Sequence, residues 1–127
     1  MRVALDSWAI LRFLEGQEPA ASEVAGLLSE QKPVVNWINL GEVFCIVRRR
    51  AGEKDALAAI RDVEDVVLAD LPSADRIMEA ARIKADHPMA YADAFAAATA
   101  VSHGATLWTG DSELLLPNAN WAWRDLR

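Results

Sequence analysis

Short apolar runs alternate with longer helical segments along the whole chain, and this alternation restricts the fold more than any other feature. Val3–Leu5 is an apolar run directly followed by a helical stretch, Trp8–Glu15. Further β-rich runs lie at residues 34–38, 66–69 and 106–108. Helical patterns, most of them flanked by Gly, Pro, Asn or Ser, separate these runs.

The order of these segments predicts the architecture. Strands joined by helices of this length pair in parallel and carry helices on both faces of the sheet. Residues 121–123 alternate apolar and small side chains and are compatible with an additional edge strand. We therefore expect an α/β fold with three layers, α/β/α, around a mostly parallel sheet of four to five strands.

Length and composition limit the number of domains and the cellular setting. The chain has 127 residues, of which 53% are hydrophobic and 25% charged, so we expect one domain over residues 1–127. The single cysteine, Cys45, excludes an internal disulfide and a multi-cysteine zinc site, and we expect it to be a core residue. The N-terminal sequence has no signal-peptide pattern, and no segment reaches the ~20 apolar residues of a membrane span. These features predict a cytoplasmic protein with no membrane contact.

Net charge narrows the function classes. Thirteen Lys and Arg against 19 Asp and Glu leave a formal charge of −6. A protein that coats nucleic acid non-specifically needs a basic face, so this balance argues against that class. It remains compatible with an enzyme that gathers acids around a metal ion.

Four carboxylates follow predicted strands or begin predicted helices: Asp6, Glu42, Asp93 and Asp111. Ligands of parallel sheets bind beyond the carboxyl ends of the strands, which is where these residues fall. Each acid also has a local explanation. Asp6 and Asp111 suit helix N-caps, Asn39 with Glu42 matches a capping box, and Asp93 suits a first helical turn.

Convergence of all four acids favours a metal site over separate caps. Like charges ~4 Å apart repel by about 4 kcal/mol per pair at an effective dielectric constant of 20. No Lys or Arg lies within two residues of Glu42, Asp93 or Asp111 to offset this repulsion. A hard divalent cation with oxygen ligands is the natural compensator, so we expect Mg²⁺ or Mn²⁺ and metal-assisted phosphoryl chemistry.

The same residues resemble the acidic motifs of a known family. In order, the segments are Asp6-Ser7, Asn39-Leu40-Gly41-Glu42, the alanine-rich run that begins Tyr91-Ala92-Asp93, and Leu107-Trp108-Thr109-Gly110-Asp111. Together they resemble PIN-domain ribonucleases, and the chain length is similar to that of VapC toxins from bacterial toxin–antitoxin pairs. The resemblance implies a PIN-like fold and a toxin that hydrolyses phosphodiester bonds in RNA.

The resemblance also implies roles for individual residues. Asp6 and Asp93 would be the direct metal ligands, Asp111 would hold a coordinated water or a second ion, and Glu42 would orient the attacking water. Thr109 would support the phosphate. Glu113 stands near a position where the family often has a further Asp, so it is the candidate substitute. The implied products carry a 3′-hydroxyl and a 5′-phosphate.

The arginine run, the two histidines and the first helix can each be interpreted as partner contacts or as structural residues. Arg48-Arg49-Arg50 could touch RNA or could stabilise a helix C-terminus, and His87 and His103 are interpreted as helix ends. The first helix, with Trp8 and Leu11, is apolar nearly all round, which indicates either a helix packed between neighbours or a contact surface. The resemblance to VapC toxins implies that a cognate antitoxin covers this surface, and the surplus apolar surface together with the resemblance favours a homodimer. The alternatives are a housekeeping RNA-processing PIN nuclease and a catalytically silent protein-binding module.

Overall fold

Strands and helices alternate through the protein, as the sequence predicts. The computed structural model describes residues 1–127. The elements are β1 (Val3–Leu5), α1 (Ser7–Leu14), α2 (Ala20–Glu30), β2 (Val34–Asn36), α3 (Trp37–Ala51), α4 (Glu53–Glu64), β3 (Leu68–Asp70), α5 (Ala74–Asp86), α6 (Tyr91–Ser102), β4 (Thr106–Thr109) and β5 (Trp123–Asp125).

The five strands form one sheet in the order β3-β2-β1-β4-β5. Every neighbouring pair is parallel, with Ala4 opposite Val34 and Leu5 opposite Trp108. The α/β prediction is confirmed, with five strands and no antiparallel pair. Because all strands run the same way, their carboxyl ends meet at one edge of the sheet.

Side chains alternate between two hydrophobic cores, one on each face of the sheet. Val3 and Leu5 of β1 pack with α1 to α4, whereas Ala4 between them packs with α5 and α6. The predicted three layers are therefore present. No helix combines the length and apolar character needed to cross a membrane.

Helix α6 explains why the chain has an alanine-rich run. Every residue from Asp93 to Ala100 is buried, and the helix contacts β1, β2 and β4 as well as α3 and α5. Small side chains let all of these elements approach its backbone closely. This close packing brings the N-terminus of α6, with Asp93, to the carboxyl edge of the sheet.

Helix α3 begins earlier than the sequence suggests. Trp37 and Ile38 were predicted to extend the second strand, but they form the first turn of α3. The Asn36 side chain caps this helix by accepting a hydrogen bond from the Asn39 backbone N–H at 2.9 Å. The capping box predicted for Asn39 and Glu42 is therefore wrong, since the cap one turn earlier outweighs the β propensity of Trp and Ile.

Two further strand boundaries differ from the prediction. The third strand is Leu68–Asp70 rather than residues 66–69, because Val66 and Val67 turn back onto the end of α4 through hydrogen bonds to the Val63 carbonyl. The last strand is Trp123–Asp125 rather than residues 121–123. Trp121 instead packs into the core and donates its indole N–H to the Leu114 carbonyl at 2.9 Å.

Several side chains interpreted from the sequence now have definite surroundings. Cys45 is exposed, so its prediction as a core residue is wrong; it lies on the outer side of α3. His87 and His103 follow the ends of α5 and α6, as expected. The arginines of the basic run lie in the last turn of α3, and two of them are engaged, Arg48 with Glu53 and Arg50 with Glu15.

Candidate active site

Asp6 occupies the centre of the carboxyl edge, between β1 and α1. Its Oδ1 accepts the backbone N–H of Ala9 at 2.9 Å, which caps α1, and its Oδ2 accepts the hydroxyl of Thr109. The residue is 1% exposed. Both carboxylate oxygens are thus held by neutral donors, and no cation balances the charge.

Thr109, the last residue of β4, connects two of the acids. Its hydroxyl donates to Asp6 and accepts the backbone N–H of Asp111 at 3.0 Å. Its side chain is fully buried. Thr109 therefore orients Asp6 and Asp111. The support of the phosphate that the family resemblance implies would act through these two acids, because the Thr109 side chain is buried.

Glu42 is held by a polar network that sequence reasoning missed. Its Oε1 accepts the Ser7 hydroxyl at 2.8 Å and the Asn39 amide at 3.0 Å. Asn39 also donates to the carbonyl of Ala92 at 3.1 Å, and Asn36 donates to the Asn39 amide oxygen at 2.8 Å. These contacts connect the N-termini of α1, α3 and α6, so they fix Glu42 relative to Asp93. The three-residue spacing of Asn36, Asn39 and Glu42, which places neighbouring members on one helix face, is the sequence signal that could have predicted this network.

The tightest acidic group contains Asp93, Asp111 and Glu113. One carboxylate oxygen from each lies within 4.8 Å of the others. Glu113 is positioned by accepting the backbone N–H of Ala90 at 3.0 Å, and Asp111 accepts the backbone N–H of Glu113 at 3.0 Å. Asp6, predicted to bind metal together with Asp93, lies outside this group but close enough for its charge to act on Asp93.

Burial and mutual repulsion favour the protonated forms of two of these acids. Burial raises the pKa of Asp6 to about 7, against the hydrogen bonds from Thr109 and Ala9 and with help from the charges of Asp111 and Glu42. Burial raises the pKa of Asp93 to about 8, and the hydrogen bond with Glu113 and the charges of Asp111 and Asp6 add to the shift. The cluster therefore resists full ionisation by itself.

No ion pair of the protein involves Asp6, Glu42, Asp93, Asp111 or Glu113. The donor set consists of carboxylate oxygens with no thiolate or imidazole, which suits hard divalent cations such as Mg²⁺ and Mn²⁺. The uncompensated charge and the oxygen ligands both fit a divalent metal ion.

These pKa shifts predict how stability depends on pH. The folded protein retains protons on Asp6 and Asp93 up to about pH 7 and 8, whereas the unfolded chain releases them near the ordinary aspartate pKa of 3.8. In chelator, the free energy of unfolding should therefore fall as pH rises from about 4 to about 8, because the folded state binds more protons in this window. Thermal melts across this range test it, and saturating Mg²⁺ should flatten the decrease. Stability that rises through this window in chelator would contradict the prediction.

Trp8 packs directly on the turn that carries Asp111. A Cβ built on Gly110 would lie 2.2 Å from Cζ2 and 2.3 Å from Cη2 of the Trp8 indole, so only glycine fits there. Trp8 is half-buried and contacts the core of the α1 to α4 face. The sequence predicts that Trp8 lies on a partner surface, but in the structure its ring packs against Gly110 at the candidate site.

Known proteins share the sequence pattern and the fold of this chain. The sequence profile of the family described as PIN domain matches residues 3–117, while no curated protein matches the chain. The fold is similar to DNA-bound VapBC from Salmonella typhimurium, with a TM-score of 0.79, 16% identity and coverage of 100% of this chain and 99% of that chain.

Two further solved structures share the fold. VapBC-1 from nontypeable Haemophilus influenzae has a TM-score of 0.75 and 21% identity, covering 99% of this chain and 98% of that chain. The sarcin-ricin loop cleaving toxin VapC20 from Mycobacterium tuberculosis has a TM-score of 0.73 and 18% identity, covering 88% and 92%. At these identities the similarity supports the fold, so chemistry must be argued from the site itself.

Proposed function

This chain belongs to the PIN domain family, and from that premise we propose that it is a metal-dependent ribonuclease, the toxin of a toxin–antitoxin pair. The observation that carries the proposal is a group of five acids that meet at the carboxyl edge of a parallel sheet and make no ion pair: Asp6, Glu42, Asp93, Asp111 and Glu113. An arrangement of this kind is suited to a divalent ion and an anionic substrate.

The metal is assigned to Asp93, Asp111 and Glu113, whose oxygens lie closest together, with Asp6 beside them. These residues would hold the ion, which would supply charge neutralisation at the phosphate oxygens and activation of a water molecule. Asp6 is kept in place by Thr109 and Ala9, and its role as a direct metal ligand, which the family resemblance implies, stays a prediction. Mg²⁺ and Mn²⁺ both fit this set of oxygen ligands.

Glu42 is proposed to orient the attacking water. Its Oε1 is occupied by Ser7 and Asn39, while Oε2 makes no hydrogen bond within the protein and can accept one from water. The water releases a proton to solvent, its oxygen bonds to phosphorus in line with the bond to the 3′ oxygen, that bond breaks, and the 3′ oxygen takes up a proton from solvent. The products carry a 3′-hydroxyl and a 5′-phosphate, as the family resemblance implies.

A cognate antitoxin is the proposed protein partner. An open apolar groove of about 490 Å³ lies between α1, α2 and α4, and it is lined mainly by Phe13, Leu14, Ala25, Leu28, Val63 and Val66. The partner surface expected around Trp8 and Leu11 stays a prediction; the groove lies on the same helix, α1, and Trp8 itself packs on Gly110. Structures with the same fold were solved as VapBC complexes, which supports a partner of this type.

A homodimer stays a prediction. Leu71, between β3 and α5, is 78% exposed, and Met78 of α5 is 55% exposed. Neither residue belongs to the acidic cluster or lines the apolar groove. Exposed large apolar side chains of this kind are compatible with an interface between two copies. Sedimentation of the purified protein measures the state directly.

The nuclease proposal is tested by incubating the purified protein with total bacterial RNA in Mg²⁺, Mn²⁺ or chelator, and by mapping new 5′ ends. We expect cleavage only with metal and 5′-phosphate ends. Absence of metal-dependent cleavage would favour the silent binding module. Cleavage by a protein whose expression leaves growth unaffected would favour the housekeeping nuclease over the toxin.

Gly110→Ala should reduce cleavage by displacing the Trp8 ring and, with it, the turn that holds Asp111. Overpacking of this kind costs about 1–3 kcal/mol of stability. The matched control is Gly26→Ala in the interior of α2, where a Cβ meets nothing within 4 Å. That control should be neutral or slightly stabilising. Equal melting temperatures and cleavage rates for the two variants would contradict a role for the Trp8–Gly110 contact.

A further inference from the structure

Arg12 differs from most arginines of this protein because its guanidinium has no carboxylate partner. It makes no ion pair and donates no side-chain hydrogen bond within the protein, whereas Arg48, Arg50, Arg76, Arg82, Arg124 and Arg127 each pair with a carboxylate. Arg12 is nevertheless half-buried and held in place. A guanidinium that is ordered but lacks an acceptor is available for an anion from outside.

The Trp8 indole holds this guanidinium. Arg12 follows Trp8 by one helical turn on α1, and its Cζ lies 4.6 Å from the centroid of the Trp8 ring. Stacking of this type orients the planar group and leaves its N–H donors free at the edges. Because the side chain is already ordered, it loses less conformational entropy when a ligand binds.

Trp8 also connects Arg12 to the acidic cluster. The indole edge touches Gly110, which lies between Thr109 and Asp111. A single aromatic ring therefore separates the guanidinium from the turn that carries one of the proposed metal-binding acids. Arg12 and Trp8 lie on a different side of α1 from Phe13 and Leu14, which line the apolar groove.

The negative charge of the acidic cluster makes a cation beside it useful for binding RNA. Five carboxylates gathered in a protein of net charge −6 repel an RNA strand, and one metal ion offsets only part of that charge. Lys84, whose charge acts on Glu113, already donates to the Met89 carbonyl at 2.8 Å. Arg12, in contrast, stacks on Trp8 and leaves all its N–H donors unoccupied.

We propose that Arg12, stacked on Trp8, binds a backbone phosphate of the RNA next to the phosphate that is cleaved, as a substrate-positioning residue. The inference rests on the proposed ribonuclease function and adds a subsite to it. Bidentate N–H contacts to two phosphate oxygens are the geometry that a guanidinium favours. Such a contact tightens binding of the strand without taking part in bond breaking.

The test compares Arg12→Gln, Arg12→Lys and wild type on an RNA oligonucleotide that spans a cleavage site mapped with the wild-type protein. We expect Arg12→Gln to raise KM about tenfold, as for loss of one charged hydrogen-bonded contact, with kcat unchanged. The slope of log(kcat/KM) against log salt concentration should become shallower by about 0.7, the value for one phosphate contact on a single strand. Arg12→Lys keeps the charge and should retain the wild-type slope.

The matched control is Arg61→Gln, an exposed arginine in the last turn of α4 that also lacks an ion pair. It removes the same charge from the same protein and should leave KM and the salt slope unchanged. An Arg12→Gln variant with wild-type KM and slope, or an equal effect of Arg61→Gln, overturns the Arg12 assignment while the nuclease stands. If wild type cleaves no RNA, the proposed function and this inference fall together.

Discussion

Asp93→Asn should abolish RNA cleavage while leaving the fold intact. The amide keeps the shape of the side chain, but it removes the negative charge that faces Asp111 and Glu113 at the proposed metal site. We expect the rate to fall by at least about 10²–10³-fold, the range for removing one preorganised electrostatic group. Asp6→Asn should behave in the same way, since Asp6 is the buried acid held by Thr109. Initial rates on the mapped RNA substrate measure both.

The matched control for this experiment is Asp75→Asn. Asp75 also lies in the first turn of a helix, α5, but it is exposed and outside the acidic cluster. It should cleave like wild type, which separates the loss of a metal ligand from the loss of a helix-end charge. Circular dichroism establishes that each variant is folded. Near-wild-type cleavage by folded Asp93→Asn and Asp6→Asn would contradict the proposed active site.

The second large effect is on stability, and its sign distinguishes a metal site from a set of helix caps. At pH values above about 8, Asp93 is ionised beside Asp111, Asp6 and Glu113 in the metal-free protein. Asp93→Asn should therefore raise the melting temperature in chelator at about pH 9 by relieving desolvation and repulsion. Near pH 5, where Asp93 is already protonated, the same variant should differ little from wild type.

Metal should stabilise wild type more than Asp93→Asn. A ligand that binds only the folded state at a hundred times Kd stabilises it by about 2.7 kcal/mol, or roughly 10 °C for a chain of this size. We expect that gain for wild type in ~10 mM Mg²⁺, and a much smaller gain for Asp93→Asn.

Asp75→Asn again supplies the control for the melts. Loss of a favourable helix-end carboxylate costs up to about 1 kcal/mol and does not depend on metal. If Asp93→Asn behaves like Asp75→Asn, with lower stability in chelator and no change in metal response, the acids are helix caps and the metal-site proposal is wrong.

Local sequence signals determined much of this protein. The alternation of apolar runs and helical segments was sufficient for the α/β class, because a helix between two strands carries the chain back along the sheet and so favours parallel pairing. Asp6, Asp93 and Asp111 were recognisable because strand ends and first helical turns are local features. Parallel strands share one carboxyl edge, so placing these acids after strands already placed them near one another.

Tertiary structure decided what these acids contact. The Thr109 hydroxyl reaches Asp6 across 103 positions of sequence, and Asn39 reaches the carbonyl of Ala92 across 53. Glu113 joins Asp93 because Ala90 donates to its side chain, and Trp8 meets Gly110 because β1 and β4 are neighbours in the sheet. Pairings of this kind follow from strand order and helix packing, which local propensity does not contain. The Asn36 cap likewise turned Trp37 and Ile38 from the predicted strand into a helix, because buried side-chain hydrogen bonds outweigh a preference of single residues.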